Sequence, residues 1–192
     1  MVNAVSNIAV PVNEPVLSYA SGSSERASIR AELASFAVVD IPLTIAGEDV
    51  RTSTVEAVNQ PHAHAKRVGN LFVGNATHIN AAVSAALSSK HDWARMAFDD
   101  RAAIFLKAAD LLAGRYRAHH NAAAMLGQGK TVHQAEIDAA CELIDFWRFN
   151  VHFARQLLEE QPLSSPGVWN RTDFRPLDGF VAAITPFNFP GM

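Results

Sequence analysis

The chain has 192 residues, 49% of them hydrophobic and 18% charged, with a formal net charge of −3 at pH 7. This is the composition of an ordinary folded protein, and the charge excludes electrostatic attraction to nucleic acid or to an anionic membrane surface. A run of about 18 apolar residues, which a membrane-spanning helix requires, is absent, and the single cysteine excludes an internal disulfide framework.

The first residues carry no recognisable targeting signal. Met1–Asn7 lacks the basic and apolar regions of a signal peptide and is not rich in arginine. The single cysteine fits a reducing compartment. A cytoplasmic location is therefore predicted.

The residue pattern in the first part of the chain predicts short helices and strands. They are a helix at Ser24–Phe36, an edge strand at Val38–Ile45, a short strand after the turn at 47–49 and a strand at Val68–Val73. Ser23 or Ser24 is the expected N-cap of the helix. Pro42 lacks a backbone N–H, which places its strand at a sheet edge.

The middle of the chain predicts three helices, at about 77–88, 99–119 and 131–158. Thr77 is the expected cap of the first helix. Thr131 and Gln134 have the spacing of a capping box, which opens the third and longest helix. Pro162 ends that helix, because proline cannot donate to a helical carbonyl.

The last stretch predicts two strands and a rigid turn. Val168–Phe174 alternates weakly and suits an exposed strand, whereas the apolar run Phe180–Ile184 indicates a buried strand. Pro186 and Pro190 then restrict the path of the chain. Ligands bind beyond the carboxyl ends of strands in open α/β sheets, where an amide such as that of Asn188 can donate to a developing oxyanion.

This turn and several upstream segments resemble the aldehyde dehydrogenase superfamily. Thr-Pro-Phe-Asn-Phe-Pro at 185–190 is similar to the turn whose asparagine is the oxyanion donor in that superfamily. Further segments resemble its L-glutamate γ-semialdehyde (1-pyrroline-5-carboxylate) dehydrogenase branch: 13–16, 111–114, 125–138, 142–150 and 161–171. The branch usually continues Phe-Thr-Ala after the asparagine, whereas this chain has Phe189-Pro190-Gly191.

The resemblance implies an α/β fold: the N-terminal part of an aldehyde dehydrogenase fold, helix-rich, with an incomplete sheet and an exposed β-strand segment. Four regions are expected on this basis. They are an N-terminal lead-in and short helix at 1–37, a helical part of the cofactor-binding domain with short edge strands at 38–162, an oligomerisation-type strand segment at 163–178, and the first strand and asparagine turn of a truncated cofactor-binding core at 179–192.

The resemblance also implies a function in proline breakdown, the NAD-dependent oxidation of L-glutamate γ-semialdehyde to L-glutamate by a homo-oligomer. It implies Asn188 as the catalytic oxyanion donor, Glu142 and Phe189 as substrate-binding residues, and Thr185, Pro186 and Phe187 as cofactor-binding residues. The family's cysteine nucleophile and glutamate base have no counterpart in this chain. The chain is therefore expected to be an N-terminal fragment that is inactive alone.

Other interpretations remain open at this point. Glu142 could lie on a solvated helix face, the usual position of a glutamate, and Phe189 could belong to the core. A separate C-terminal chain could complete the site. The chain could also be a non-catalytic helical module that binds a partner, such as an intact dehydrogenase subunit.

Three patterns favour structural roles. Gly127–Thr131 imitates the end of a phosphate-binding loop, but Ala124 stands where that loop needs glycine, so a turn between helices is predicted. Cys141 lies on the apolar stripe of the longest helix and is predicted to be a buried structural thiol. His62 and His64 have no third ligand at suitable spacing, and no metal site is predicted.

Overall fold

The computed structural model describes residues 7–189, so Pro190 and the unusual ending after it lie outside the described residues. The helices are α1 (Ser24–Ser35), α2 (Ala76–Arg95), α3 (Phe98–Ala113), α4 (Arg117–Gln128), α5 (Val132–Gln134) and α6 (Glu142–Glu159), with a π-helical segment (Ala135–Cys141) between the last two. The strands are β1 (Val39–Ile41), β2 (Leu43–Ile45), β3 (Glu48–Val50), β4 (Val55–Gln60) and β5 (Ala63–Phe72). The predicted helix-rich α/β class with an incomplete sheet is confirmed.

The strands form two small sheets. β5 is central in one of them, parallel to β1 and antiparallel to β4, and β2 pairs with β3 in a hairpin. Ala46 and Gly47 turn that hairpin with φ of +54° and +85°, the left-handed conformation that a tight two-residue turn needs. The single strand predicted at Val38–Ile45 is wrong, because Pro42 separates β1 from β2.

The helices follow the sequence pattern, except that the one predicted at 77–88 continues to Arg95 and the one predicted at 99–119 is broken. Ser23 caps α1, as expected, and accepts a hydrogen bond from the Arg26 N–H. The cap of α2 is Asn75 rather than Thr77. The helix predicted at 99–119 is two helices, since the chain turns at Gly114 before α4 begins.

The core lies where α3 and α4 pack on the continuous helical run from α5 to α6. Ala109 of α3 and Ala140 of the π-helical segment are fully buried, and their small side chains let the two backbones approach closely. Leu112 and Ile144 fill the same cluster. A second cluster fastens the lead-in and α1 onto α4: Tyr19, Ile29 and Ala122.

The C-terminal segment from 160 to 189 crosses the surface without helix or strand. The strands predicted at Val168–Phe174 and Phe180–Ile184 are wrong for this structure, and so is the expected exposed β-strand. A strand exists only when a neighbouring strand completes its hydrogen bonds, and no described strand lies beside this segment. Its apolar side chains consequently face solvent, with Ile184 99% exposed.

Candidate functional site

The asparagine turn is the first part of the site. Phe187 and Asn188 form its corner, and the Phe189 N–H closes it by donating to Pro186 O at 3.5 Å. Asn188 is exposed and Phe189 is half-buried. The turn therefore presents an amide side chain at the surface while one of its two flanking rings packs against the protein.

The turn is held by its main-chain oxygens. Gln128 Nε2 donates to Phe187 O at 2.8 Å. Lys130 Nζ donates to Asn188 O at 2.6 Å. Since these contacts use main-chain oxygens, the Asn188 side-chain amide is not part of them.

The last residue of α4 and the connection from α4 to α5 supply these two side chains, and the shape of the connection follows from local sequence. Gly129 ends α4 with φ of +67°, a left-handed conformation that glycine adopts without strain. Thr131 then caps α5 in a capping box with Gln134, as predicted. The Gly127–Thr131 segment is thus a turn between helices and not a phosphate-binding loop.

Lys130 joins the turn to the π-helical segment. Its Nζ lies 2.9 Å from Asp138 Oδ2 and 5.4 Å from the centroid of the Phe189 ring. The Lys130 side chain is only 12% exposed. The ammonium group therefore contacts a carboxylate, a main-chain oxygen and an aromatic face in one place.

Glu142 follows Asp138 by four residues, so the two side chains lie on neighbouring parts of one helix face. It is half-buried at the start of α6, which places it between the two interpretations left open by the sequence. Its neighbour Asp145 instead binds the lead-in, accepting from Asn13 Nδ2 at 2.8 Å and from the Glu14 N–H at 2.7 Å.

The three predicted cofactor-binding residues lie on the solvent-exposed side of the turn. Thr185, Pro186 and Phe187 are exposed, and Phe187 is 95% exposed. The structure thus brings Phe187, Asn188 and Phe189 together at the α4–α5 connection, and leaves Thr185 and Pro186 open to solvent.

A buried ion-pair network behind the site was not found by sequence reasoning. Glu136 is fully buried and accepts from Tyr19 Oη at 2.7 Å, from Asn121 Nδ2 at 2.8 Å and from the Leu17 N–H at 2.8 Å, besides pairing with the Arg117 guanidinium. Burial raises the pKa of Glu136, but these hydrogen bonds outweigh it and hold its pKa below the ordinary value.

A second carboxylate extends the network. Glu14 pairs with Arg117 and accepts from Arg148 Nη1 at 2.6 Å. Glu14 and Glu136 both lie in segments that resemble the dehydrogenase branch, 13–16 and 125–138. The resemblance of those two segments was the available sequence signal for the network, because nothing in the local spacing marks either glutamate as buried.

Cys141 lies beside this network. It is buried, and Arg117 Nη2 lies 3.3 Å from its Sγ. Burial, with the negative charge of Glu136, raises the pKa of the thiol to about 11. The prediction of a buried structural thiol is confirmed, since a thiol with so high a pKa is protonated at neutral pH and is a poor nucleophile.

Two further properties concern metal and membrane. Within residues 7–189, no three His, Cys, Asp or Glu side chains converge on a point that could hold a metal ion. Among the helices of the same residues, none combines the length and apolar character needed to cross a membrane.

Comparison with known proteins identifies relatives. The model of the aldehyde dehydrogenase family matches residues 49–192. Delta-1-pyrroline-5-carboxylate dehydrogenase of Agaricus bisporus is 50% identical over 181 residues, which are 92% of this chain and 33% of that protein. The mitochondrial protein of that name from Dictyostelium discoideum is 44% identical over 189 residues, 97% of this chain and 34% of that protein.

The same relationship is present among solved structures. Delta-pyrroline-5-carboxylate dehydrogenase of Mycobacterium tuberculosis, in a crystal structure bound with NAD, is 56% identical and superimposes with a TM-score of 0.94, covering 99% of this chain and 36% of that one. The chain thus spans about a third of the length of the curated relatives it matches.

These relatives correct the predicted location. The cytoplasmic prediction is wrong by this comparison, because the Dictyostelium discoideum relative is described as mitochondrial. The composition of the first residues and a single cysteine are weak grounds for a location, because neither is tied to one compartment.

Proposed function

Since the chain belongs to the aldehyde dehydrogenase family, we propose that it supplies part of the active site of an NAD-dependent enzyme that oxidises L-glutamate γ-semialdehyde to L-glutamate. The observation that carries this proposal is the similarity to delta-1-pyrroline-5-carboxylate dehydrogenases, which reaches 56% identity with a TM-score of 0.94. The match of the family model extends to residue 192 and includes the asparagine turn, which does not favour a non-catalytic binding module.

Asn188 is proposed as the oxyanion donor. When a thiolate adds to an aldehyde, the carbonyl oxygen becomes an oxyanion, and a fixed amide N–H stabilises that charge. The docking of the turn through Phe187 O and Asn188 O supports this role, because it fixes the backbone and leaves the Asn188 side chain exposed. One such donor contributes about 3–4 kcal/mol to the transition state.

The nucleophile must come from elsewhere in the complete enzyme. Cys141 is the single cysteine of the sequence, and it is buried with a pKa raised to about 11. A thiol in that state forms no bond to a substrate aldehyde at neutral pH. We therefore propose that the 192-residue chain alone is inactive.

The cofactor would lie along the outer side of the turn. The described residues fit one edge of such a site: Thr185 offers a hydroxyl and Phe187 an open apolar ring. When bound, NAD supplies the acceptor for the hydride that leaves the aldehyde carbon. The role of Thr185, Pro186 and Phe187 would be to orient it and to exclude water from its reactive face.

The substrate would be bound by Glu142 and Phe189. The Phe189 ring packs beside Lys130 and can cover the aliphatic part of glutamate γ-semialdehyde. The Glu142 carboxylate complements the amino group of that substrate, and its position one turn beyond Asp138 supports a place near the docked turn.

The segment 163–178 is proposed to take part in a homo-oligomer. Its apolar side chains are open to solvent in the single chain, with Leu163 93% and Trp169 66% exposed. An apolar surface of this kind is stabilised when a second subunit covers it.

A chimera tests the proposal. This chain would replace the matching part of the Mycobacterium tuberculosis relative, and NAD reduction with glutamate γ-semialdehyde would be measured. Activity in the chimera, together with none in the 192-residue chain, is the expected result. A folded chimera that binds NAD but does not oxidise the semialdehyde, or an isolated chain that turns over, would overturn the proposal.

A further inference from the structure

Two successive carbonyl oxygens of the asparagine turn are held by side chains from the end of α4 and the connection that follows it. Gln128 Nε2 holds Phe187 O at 2.8 Å, and Lys130 Nζ holds Asn188 O at 2.6 Å. These oxygens belong to the two peptide planes on either side of the Asn188 Cα. Because a peptide group is planar, fixing both planes fixes φ and ψ of Asn188 and therefore the direction of its Cα–Cβ bond.

Lys130 is itself immobilised. Its ammonium group is 2.9 Å from Asp138 Oδ2, its side chain is 12% exposed, and it lies 5.4 Å from the centre of the Phe189 ring. Hydrogen bonds from a charged donor are roughly twice as strong as neutral ones, so Lys130 holds the turn more firmly than Gln128 does.

We infer that Lys130 is a positioning residue for Asn188. It anchors the turn to Asp138 of the π-helical segment and so sets the direction in which the Asn188 amide points, without touching the substrate. The inference rests on the proposed role of Asn188 as oxyanion donor. Its consequence is that removal of Lys130 lowers the rate only through the displacement of the Asn188 amide.

Kinetics of the active chimera test this inference. A misplacement of about 1 Å costs on the order of 10²-fold in rate, so kcat of Lys130→Met should fall by about that factor. Lys130→Arg keeps a cationic donor and should restore most of the loss. Lys107→Met, a change of an exposed lysine on α3, is the matched control and should leave kcat unchanged.

A double variant separates positioning from general stability. If Lys130 acts through Asn188, the Lys130→Met change should lower kcat no further when Asn188→Ala is already present. The melting temperature of Lys130→Met should stay close to that of the parent. Additive losses, or a kcat of Lys130→Met equal to that of the Lys107→Met control, would overturn the inference.

A measurement on the 192-residue chain does not depend on activity. The ¹⁵N order parameters of Phe187, Asn188 and Phe189 should fall from near about 0.85 to below about 0.6 in Lys130→Met, and not in Lys107→Met. Unchanged order parameters would overturn the inference. If these order parameters fall but Asn188→Ala has full activity in the chimera, the proposed function of Asn188 fails and the anchoring of the turn stands.

Discussion

The hydroxyl of Tyr19 donates to the carboxylate of Glu136 at 2.7 Å, although the two residues are 117 positions apart. Tyr19 has a left-handed φ of +51°, unusual for a residue other than glycine. The contact ties the lead-in to the π-helical segment that directly precedes Glu142. The lead-in is thus part of the support of the proposed substrate site.

This contact predicts the effect of Tyr19→Phe. A hydrogen bond to a charged group is worth about 1.5–3 kcal/mol, so the free energy of unfolding should fall by about 2 kcal/mol. Tyr116→Phe is the matched control, because Tyr116 is 45% exposed and should lose almost nothing. Urea unfolding of both variants measures the difference, and equal stabilities would show that the Tyr19 hydroxyl does not support Glu136.

The half-buried imidazole of His120 predicts a pH dependence. Burial, and to a lesser extent the neighbouring His119, lowers the pKa of His120 below its ordinary 6.5. The unfolded chain therefore binds this proton more readily than the folded chain. The stability contributed by neutral His120 is present above about pH 6.5 and is lost as the pH falls below it.

His120→Gln should therefore flatten the decline in melting temperature between about pH 7 and pH 5. His91→Gln, a change of an exposed histidine on α2, should leave the slope as in the parent. Thermal melts of the three proteins at several pH values provide the measurement. A parent-like slope in His120→Gln would mean that another group titrates.

Gly129 should tolerate no side chain. An alanine there would keep a left-handed φ, which costs roughly 1–2 kcal/mol. Its Cβ would also lie 3.3 Å from Pro61 Cγ. Gly127→Ala is the control, because nothing lies within 4 Å of its Cβ position and alanine favours the helix. Urea midpoints should fall for Gly129→Ala and rise slightly for Gly127→Ala; a stable Gly129→Ala protein would contradict the packing of this turn.

Replacement of Asn188 should weaken stabilisation of the transition state more than it weakens binding of the cofactor. In the active chimera, Asn188→Ala should lower kcat by about 10²–10³ while NAD affinity changes little. Asn188→Asp should be at least as slow, because a carboxylate repels an oxyanion and has no N–H to donate. Steady-state kinetics decide this, and a wild-type kcat in Asn188→Ala would leave the turn with a structural role only.

Features determined by neighbouring residues could be predicted from the sequence. The Thr131–Gln134 capping box, the Ser23 cap and the long helical run up to Glu159 all formed as expected. A cap satisfies N–H groups within one turn, and an amphipathic stripe repeats along one helix, so a short window of sequence contains the information.

Strands depended on what lies beside them. β4 was not predicted, because its side chains do not alternate cleanly, and it forms through its hairpin with β5. Phe180–Ile184 has the composition of a buried strand but forms none here. Strand hydrogen bonds are made to another segment, so composition alone cannot decide whether a strand exists.

The sequence by itself determined the identity of the asparagine turn, since a short motif marks it. Only the tertiary structure decided what holds that turn, because Lys130 and Asn188 are 58 positions apart. The same is true of Glu136, whose position inside a helix gives no sign of burial. A carboxylate can leave water only where distant groups replace its hydration, and Arg117 and Tyr19 meet Glu136 only after the chain has folded.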